Sequence, residues 1–263
     1  MKELVGEGEL TPKKISYATM VRPIWANFLC FNWKLGLLMI LLVCIPRFIL
    51  VLQANVSGSY GAIGAVMLVS ALTPYILLSK AGRSKIGMIK PSSAQWLLVA
   101  LASGVVVSVF LCFAGMLLYG QSYQNWYVYI AKSYNIPTGI AGNDKLIMFI
   151  IMAITGMTFS PIGEELFFRG IVQSSFAASV GEKRALIIDG LAFSLTHIAH
   201  FGIVFLDASF NFYPLPALLW TCAMFLVSLL FYYFKRKSGS LLGAIICHAG
   251  FNLGMIYSIF YFL

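Results

Sequence analysis

The fold class this sequence predicts is all-α, a polytopic transmembrane helical bundle of about seven to eight spans. Three observations predict it. Of the 263 residues 60% are apolar and only 10% are charged, whereas roughly a quarter of an ordinary soluble domain is charged. The apolar residues are gathered into seven long runs, and the Lys and Arg residues fall almost entirely on one side of those runs. The same composition excludes a disordered chain, a collagen-like chain, a coiled coil and a disulfide-stapled secreted module. The five cysteines follow no CxxC spacing and lie mostly in apolar runs, so they read as small buried hydrophobes and not as bridges or metal ligands.

Taken in order, residues 1–34 form a polar, Lys-bearing leader, expected on the cytoplasmic side, and residues 35–263 form a single transmembrane domain. The first apolar run follows this leader too late for a cleaved signal sequence and is expected to stay as an anchor. The runs are Leu35–Ala54, Ser59–Ser79, Gln95–Gly120, Lys145–Val180, Arg184–His200, Tyr213–Phe234 and Ser240–Leu263. A span needs about 20 apolar residues, which each run supplies or approaches. The fourth run is too long for a straight crossing, about 54 Å as helix against a core of about 30 Å. Ser160-Pro161 and Gly163 near its middle predict a break or steep tilt there. Trp126–Asn143 reads as the longest outer loop, and the five Trp residues, mostly at run edges, read as an aromatic belt.

Alternating the connections through seven spans puts fifteen Lys and Arg residues on the side of the leader, in the groups ending at Lys34, Lys90, Arg184 and Lys237. The other side receives only Lys132 and Lys145, and Arg47 lies inside the first run. The positive-inside rule then predicts a cell-membrane protein with its N-terminus cytoplasmic and its C-terminus outside. The net charge of +9 is accounted for by this topology. No Gly-rich phosphate loop or basic soluble face suggests nucleic acid or a nucleotide.

Polar chemistry inside the runs is sparse, and an ionisable group at membrane depth is expensive, which makes each one a functional candidate. Of nine acidic residues, Glu164, Glu165 and Asp189 fall within runs, and His197, His200 and His248 lie in or at the ends of runs. Glu165 and Arg169 are four residues apart on one helix face and pair, leaving Glu164, turned about 100° away, without a partner. His248 and Asn252 likewise share a face, and His197 follows Phe193 by one turn. Three helices therefore carry groups that lipid would not tolerate, and pointing all of them into one water-containing cavity resolves the difficulty. A free carboxylate beside an imidazole can deprotonate water, while a second imidazole with a carboxamide can stabilise an oxyanion. That combination suits hydrolysis of a carbonyl.

The ordered motifs EExxxR (Glu164, Glu165, Arg169), FxxxH (Phe193, His197) and HxxxN (His248, Asn252) in a polytopic chain resemble the CPBP family, the CAAX proteases and bacteriocin-processing enzymes also called the Abi family. The resemblance covers about Ile147–Tyr257, within a motif-bearing core of about 145–263. It implies an all-helical bundle with an intramembrane catalytic cavity reachable from the cytoplasmic side, and an endopeptidase of the metal-independent glutamate type with no cofactor. By the same resemblance Glu164 with His197 activates water, His248 with Asn252 forms the oxyanion hole, and Glu165, Arg169 and Phe193 support them. The expected partners are the lipid bilayer and a peptide or protein substrate at the membrane, with leader peptides, pheromones and bacteriocins favoured over prenylated proteins.

Competing readings are weighed on the same residues. Glu165–Arg169 reads first as a structural ion pair and His200 as an interfacial residue, while Asp189 could orient a partner helix and Arg47 beside Pro46 could snorkel or cap a kink. Glu164, His197 and His248 also supply the donor types of a three-ligand zinc site, although no HExxH pattern is present. The alternative function is a non-proteolytic membrane scaffold or bacteriocin self-immunity protein. A transporter is disfavoured because no symmetric pair of broken helices is visible.

Overall fold

A computed structural model describes residues 20–137 and 139–263. Residues 1–19 of the expected leader lie outside the described residues. The chain is an all-helical polytopic bundle, and each of the seven apolar runs is helical. The helices are α1 (Trp33–Ser57), α2 (Gly61–Leu77), the short α3 (Lys80–Lys85), α4 (Gln95–Tyr119), α5 (Trp126–Ser133), α6 (Gly142–Val180), α7 (Glu182–Thr196), α8 (Pro214–Ser238) and α9 (Leu241–Tyr261). Between α7 and α8 an antiparallel hairpin joins β1 (Ile203–Leu206) to β2 (Ser209–Phe212).

Among the described residues α1, α4, α6, α8 and α9 are long and apolar enough to cross a membrane, while α2 has 17 residues and α7 has 15. Their outward faces agree with that solvent. Leu98, Phe110 and Leu117 of α4 are 72%, 68% and 87% exposed, an apolar belt that water would not support.

Local chemistry explains several helix ends. Asn32 accepts from the Lys34 and Leu35 amides to start α1, and Ser240 accepts from the Leu242 amide to start α9. Gly58 and Gly239 close α1 and α8 at φ 71° and 68°, conformations that exclude a side chain at little cost only for glycine. Asp207 and Ala208, at φ 49° and 58°, form the tight turn of the hairpin.

The expected break at Pro161 is absent, since α6 runs through it. The irregularity lies one turn later, where Leu166–Val172 winds as a π-helix. A second π segment, Ile40–Cys44, precedes Pro46 in α1. Proline lacks an amide hydrogen and crowds the preceding turn, and a wider turn absorbs both effects. The two π segments thus flank Arg47 on one helix and Glu164 on the other.

Loops at the two ends of the bundle are tied into separate faces. On one, Val21 bridges Leu78, Ser92 donates to the Ser238 carbonyl, and the Leu241 amide donates to Gly87. On the other, Asn55 donates to the Ala199 carbonyl, Tyr60 to Ser133, and Lys132 to the Phe205 carbonyl. The expected loop at 126–143 belongs to this second face but is not a loop throughout. It holds α5, whose Trp126, Tyr127, Tyr129 and Ile130 are buried. Trp126 and Trp220 leave the aromatic belt for the same reason. Their indole N–H groups donate to the carbonyls of Leu111 and His197 in the protein interior, where a buried indole needs such a partner.

Candidate active site

The seven motif residues converge. Glu164 and Glu165 end the α-helical part of α6, His197 caps α7 and opens a 3-10 turn, and His248 and Asn252 lie one turn apart on α9. His197 is therefore at a helix terminus and not within a span. Glu164, His197, His248 and Asn252 line one cavity of about 520 Å³.

The carboxylate of Glu164 is not unpaired, as the sequence alone suggests. Arg47, reaching from α1, donates through Nη2 to its Oε1 at 2.9 Å, and Ser160 donates to the same oxygen. Both ends of this ion pair are almost wholly buried, so neither charge would be tolerated without the other. Oε2 has no hydrogen-bond partner among the described residues and faces Nε2 of His197 across 3.8 Å. Nδ1 of His197 lies 2.7 Å from the Phe193 carbonyl. A carbonyl can only accept, so Nδ1 carries the proton and Nε2 of the neutral ring presents a lone pair. Phe193 also packs against the ring, centroids 4.3 Å apart and planes tilted by 36°.

Behind this pair sits a second, fully buried charge cluster. Arg169 Nε is 3.2 Å from Glu165 and 3.6 Å from Asp189. Its guanidinium also lies over the rings of Phe193 and Phe231, at 4.4 and 5.3 Å. Asp189 is thus a partner of Arg169. His248 Nδ1 bonds Glu165 at 2.8 Å, and its ring stacks on Phe231 at 4.5 Å. The Glu165 carboxylate accepts, so a free Nε2 of His248 points away from it. Asn252 donates from Nδ2 to the Gly156 carbonyl at 2.8 Å, which fixes the amide and leaves its second hydrogen available.

Three residues outside the motifs join the site. Arg47 is the most consequential. Its Nε and Nη1 are buried with no hydrogen-bond partner among the described residues, and a lone Arg inside an apolar run was the available signal. His200, expected at the interface, lines the cavity with its ring 5.5 Å from that of His197. Tyr134 lines it as well, and burial, reinforced by the Glu164 charge, pushes its phenol up to about 12. It therefore stays a neutral hydrogen-bond donor. No group of three His, Cys, Asp or Glu side chains among the described residues is arranged to hold a metal ion. Glu164, His197 and His248 therefore do not form a three-donor cage in this geometry.

Residues 146–254 match the family model described as Rce1-like, type II CAAX prenyl endopeptidase Rce1-like. Comparisons with curated proteins and with solved structures give no match. The matched segment begins within α6, ends within α9 and contains all three motifs and every carboxylate and imidazole described above, while Arg47 and α1 to α5 lie outside it. With its apolar helices this chain is a multi-pass membrane protein, and its segment 146–254 is similar to the Rce1-like type II CAAX prenyl endopeptidases.

Proposed function

We propose that this protein is an intramembrane endopeptidase that hydrolyses peptide bonds of membrane-associated peptides by water held between Glu164 and His197, without a metal. The observation that carries the reading is the pair of acceptors, Oε2 of Glu164 and Nε2 of His197, facing each other across 3.8 Å in the cavity. Two acceptors cannot bond one another. A water between them gives one O–H to each and turns a lone pair outward, the orientation a nucleophile needs.

In the reaction the water oxygen bonds to the scissile carbonyl carbon while its proton passes to the Glu164–His197 pair. The carbonyl π electrons move to oxygen, and that oxyanion accepts from the free amide hydrogen of Asn252 and from Nε2–H of His248. Nδ1 of His248 already donates to Glu165, so donation from Nε2 engages the ring as imidazolium, with Glu165 as its counter-charge. Collapse of the tetrahedral intermediate breaks the C–N bond, and the proton held by the pair goes to the leaving amine. Arg47 and Ser160 act as positioning residues by anchoring Oε1 so that Oε2 faces the water.

Cleavage of a fluorogenic peptide library by purified protein in nanodiscs tests this, with Glu164→Ala and His248→Ala in parallel and with and without a chelator. The expected result is cleavage lost in both variants and indifferent to chelator. Chelator-sensitive cleavage would return the zinc reading. Failure of well-folded wild-type protein to cleave any member would favour the scaffold.

A further inference from the structure

We propose that a second pocket, bounded by α3, the last turns of α6, the start of α7 and the end of α8, binds the phosphate headgroup of an anionic phospholipid. This goes beyond the peptidase reading above and does not depend on it.

The chemistry of the lining carries the inference. The pocket measures about 570 Å³ and shares no residue with the cavity of Glu164; sites for small ligands run to about 300–1,000 Å³. Its wall combines three cations, Lys85, Lys235 and Arg236, with the apolar side chains of Met20, Phe31 and Ile89. Among the described residues the only acid on that wall is Glu182, and its carboxylate already accepts from the Gln173 amide at 3.1 Å and from the Tyr232 hydroxyl. Three cations against one committed carboxylate leave the wall positive. Nζ of Lys235 is held in place by donating to the Arg169 carbonyl at 2.6 Å and to Oε1 of Gln173 at 3.2 Å, and an ammonium has a third hydrogen to give. Arg236 beside it is exposed, and the planar fork of a guanidinium matches phosphate oxygens two at a time.

The level of the pocket in the bundle favours a lipid over a soluble phosphate. Two indoles lie at the same end. The Trp33 amide donates to Ser179 near the end of α6, and the Lys237 ammonium lies 5.2 Å from the ring of Trp96 at the start of α4. Tryptophans beside basic side chains mark the headgroup level of a membrane protein, and basic pockets between spans at that level take anionic headgroups. A phospholipid answers both parts of the lining. Its phosphate meets the cations, while its glycerol and acyl chains cover Ile89, which is 49% exposed; a free phosphate leaves that apolar surface in water. The bound lipid also acts on the fold. Lys235 reaches the backbone of Arg169, inside the π segment Leu166–Val172, so a phosphate that fixes Lys235 braces that segment and stabilises the bundle.

Thermal unfolding of the full chain in dodecyl maltoside tests the site, with dioleoyl phosphatidylglycerol, dioleoyl phosphatidylcholine or inorganic phosphate as the added probe. Phosphatidylglycerol alone is expected to raise the midpoint, by about 3 °C, and half-saturation should need about tenfold more of it in Lys85→Gln/Arg236→Gln. Lys90→Gln/Lys183→Gln removes the same charge from exposed positions of the same face that do not line the pocket, and should leave both values unchanged. Equal stabilisation by the two lipids overturns the proposal, and so does equal stabilisation by inorganic phosphate, which would make this a site for a soluble anion. An equal loss in the Lys90/Lys183 variant overturns it as well, by reducing the effect to diffuse surface charge. A photoactivatable phosphatidylglycerol crosslinked to the wild-type protein needs no substitution. Adducts on residues 84–89 and 173–182 are expected; adducts confined to other segments, or no more than with photoactivatable phosphatidylcholine, overturn the site.

Discussion

The two oxygens of Glu164 do different work, and this division is what single substitutions should expose. Oε1 is committed to Arg47 and Ser160, and Oε2 faces His197. Glu164→Gln keeps the shape and an acceptor oxygen but removes the base, so kcat should fall by about 10²–10⁴-fold, measured on detergent-purified enzyme whose elution profile is unchanged. Arg47→Ala acts through the geometry of Glu164. A loss on the order of 10²-fold in kcat with little change in KM is expected. Added guanidinium ion should restore part of it, and a merely structural role for Arg47 predicts no such rescue. These two residues also show how far a sequence can be read. Glu164 stood out as an acid without a partner and Arg47 as a base without a purpose, and each was the other's answer. They are 117 positions apart, so helix periodicity could not join them; only the requirement that buried charge be balanced pointed there. The bond from His248 to Glu165 was hidden for the same reason, since spacing within one helix says nothing about which neighbouring helix it meets.

Helix-to-helix contact at the site depends on glycine. A Cβ on Gly104 of α4 would meet the Cys247 carbonyl at 2.1 Å, and one on Gly250 of α9 would meet the Leu101 carbonyl at 2.2 Å. With Gly254 one turn on, α9 presents the GxxxG spacing that lets backbones approach in lipid. Gly250→Val should therefore push α4 and α9 apart at a cost of about 1–3 kcal/mol. A lower midpoint in a thermal detergent assay is expected, together with lost cleavage, because Asn252 reaches Gly156 from the same turn. Gly61→Ala, with nothing within 4 Å of the added carbon, is the control and should change neither. Elements of this kind were largely legible, since a long apolar run in a membrane protein has few conformations other than helix. Less legible were the places where tertiary contacts overrode local signals. Pro161 stays within a continuous helix, while the π turn comes at Leu166–Val172. The stretch after Trp126, polar enough to read as a loop, is held as buried α5 by its aromatic residues.

For the molecule as a whole, the structure alters one part of the charge count without altering its sign. Arg169 was assigned to a connection, but it is fully buried against Glu165 and Asp189 and contributes nothing to loop charge. The remaining Lys and Arg on the face of the Val21–Leu78 bridge still far outnumber Lys132 and Lys145 on the other, and they are spread over several connections. Orientation set by such a spread should resist local change, because topology responds to the sum of short-loop charges near the span ends. A C-terminal alkaline phosphatase fusion is expected to be active and a C-terminal green fluorescent protein fusion dark, as an outside C-terminus requires. Lys183→Gln with Arg184→Gln should leave both signals within about twofold, since the residues before α4 and after α8 outvote that loop. A bright fluorescent fusion with an inactive phosphatase fusion would mean that an odd number of crossings had been misassigned or the bundle inserted upside down.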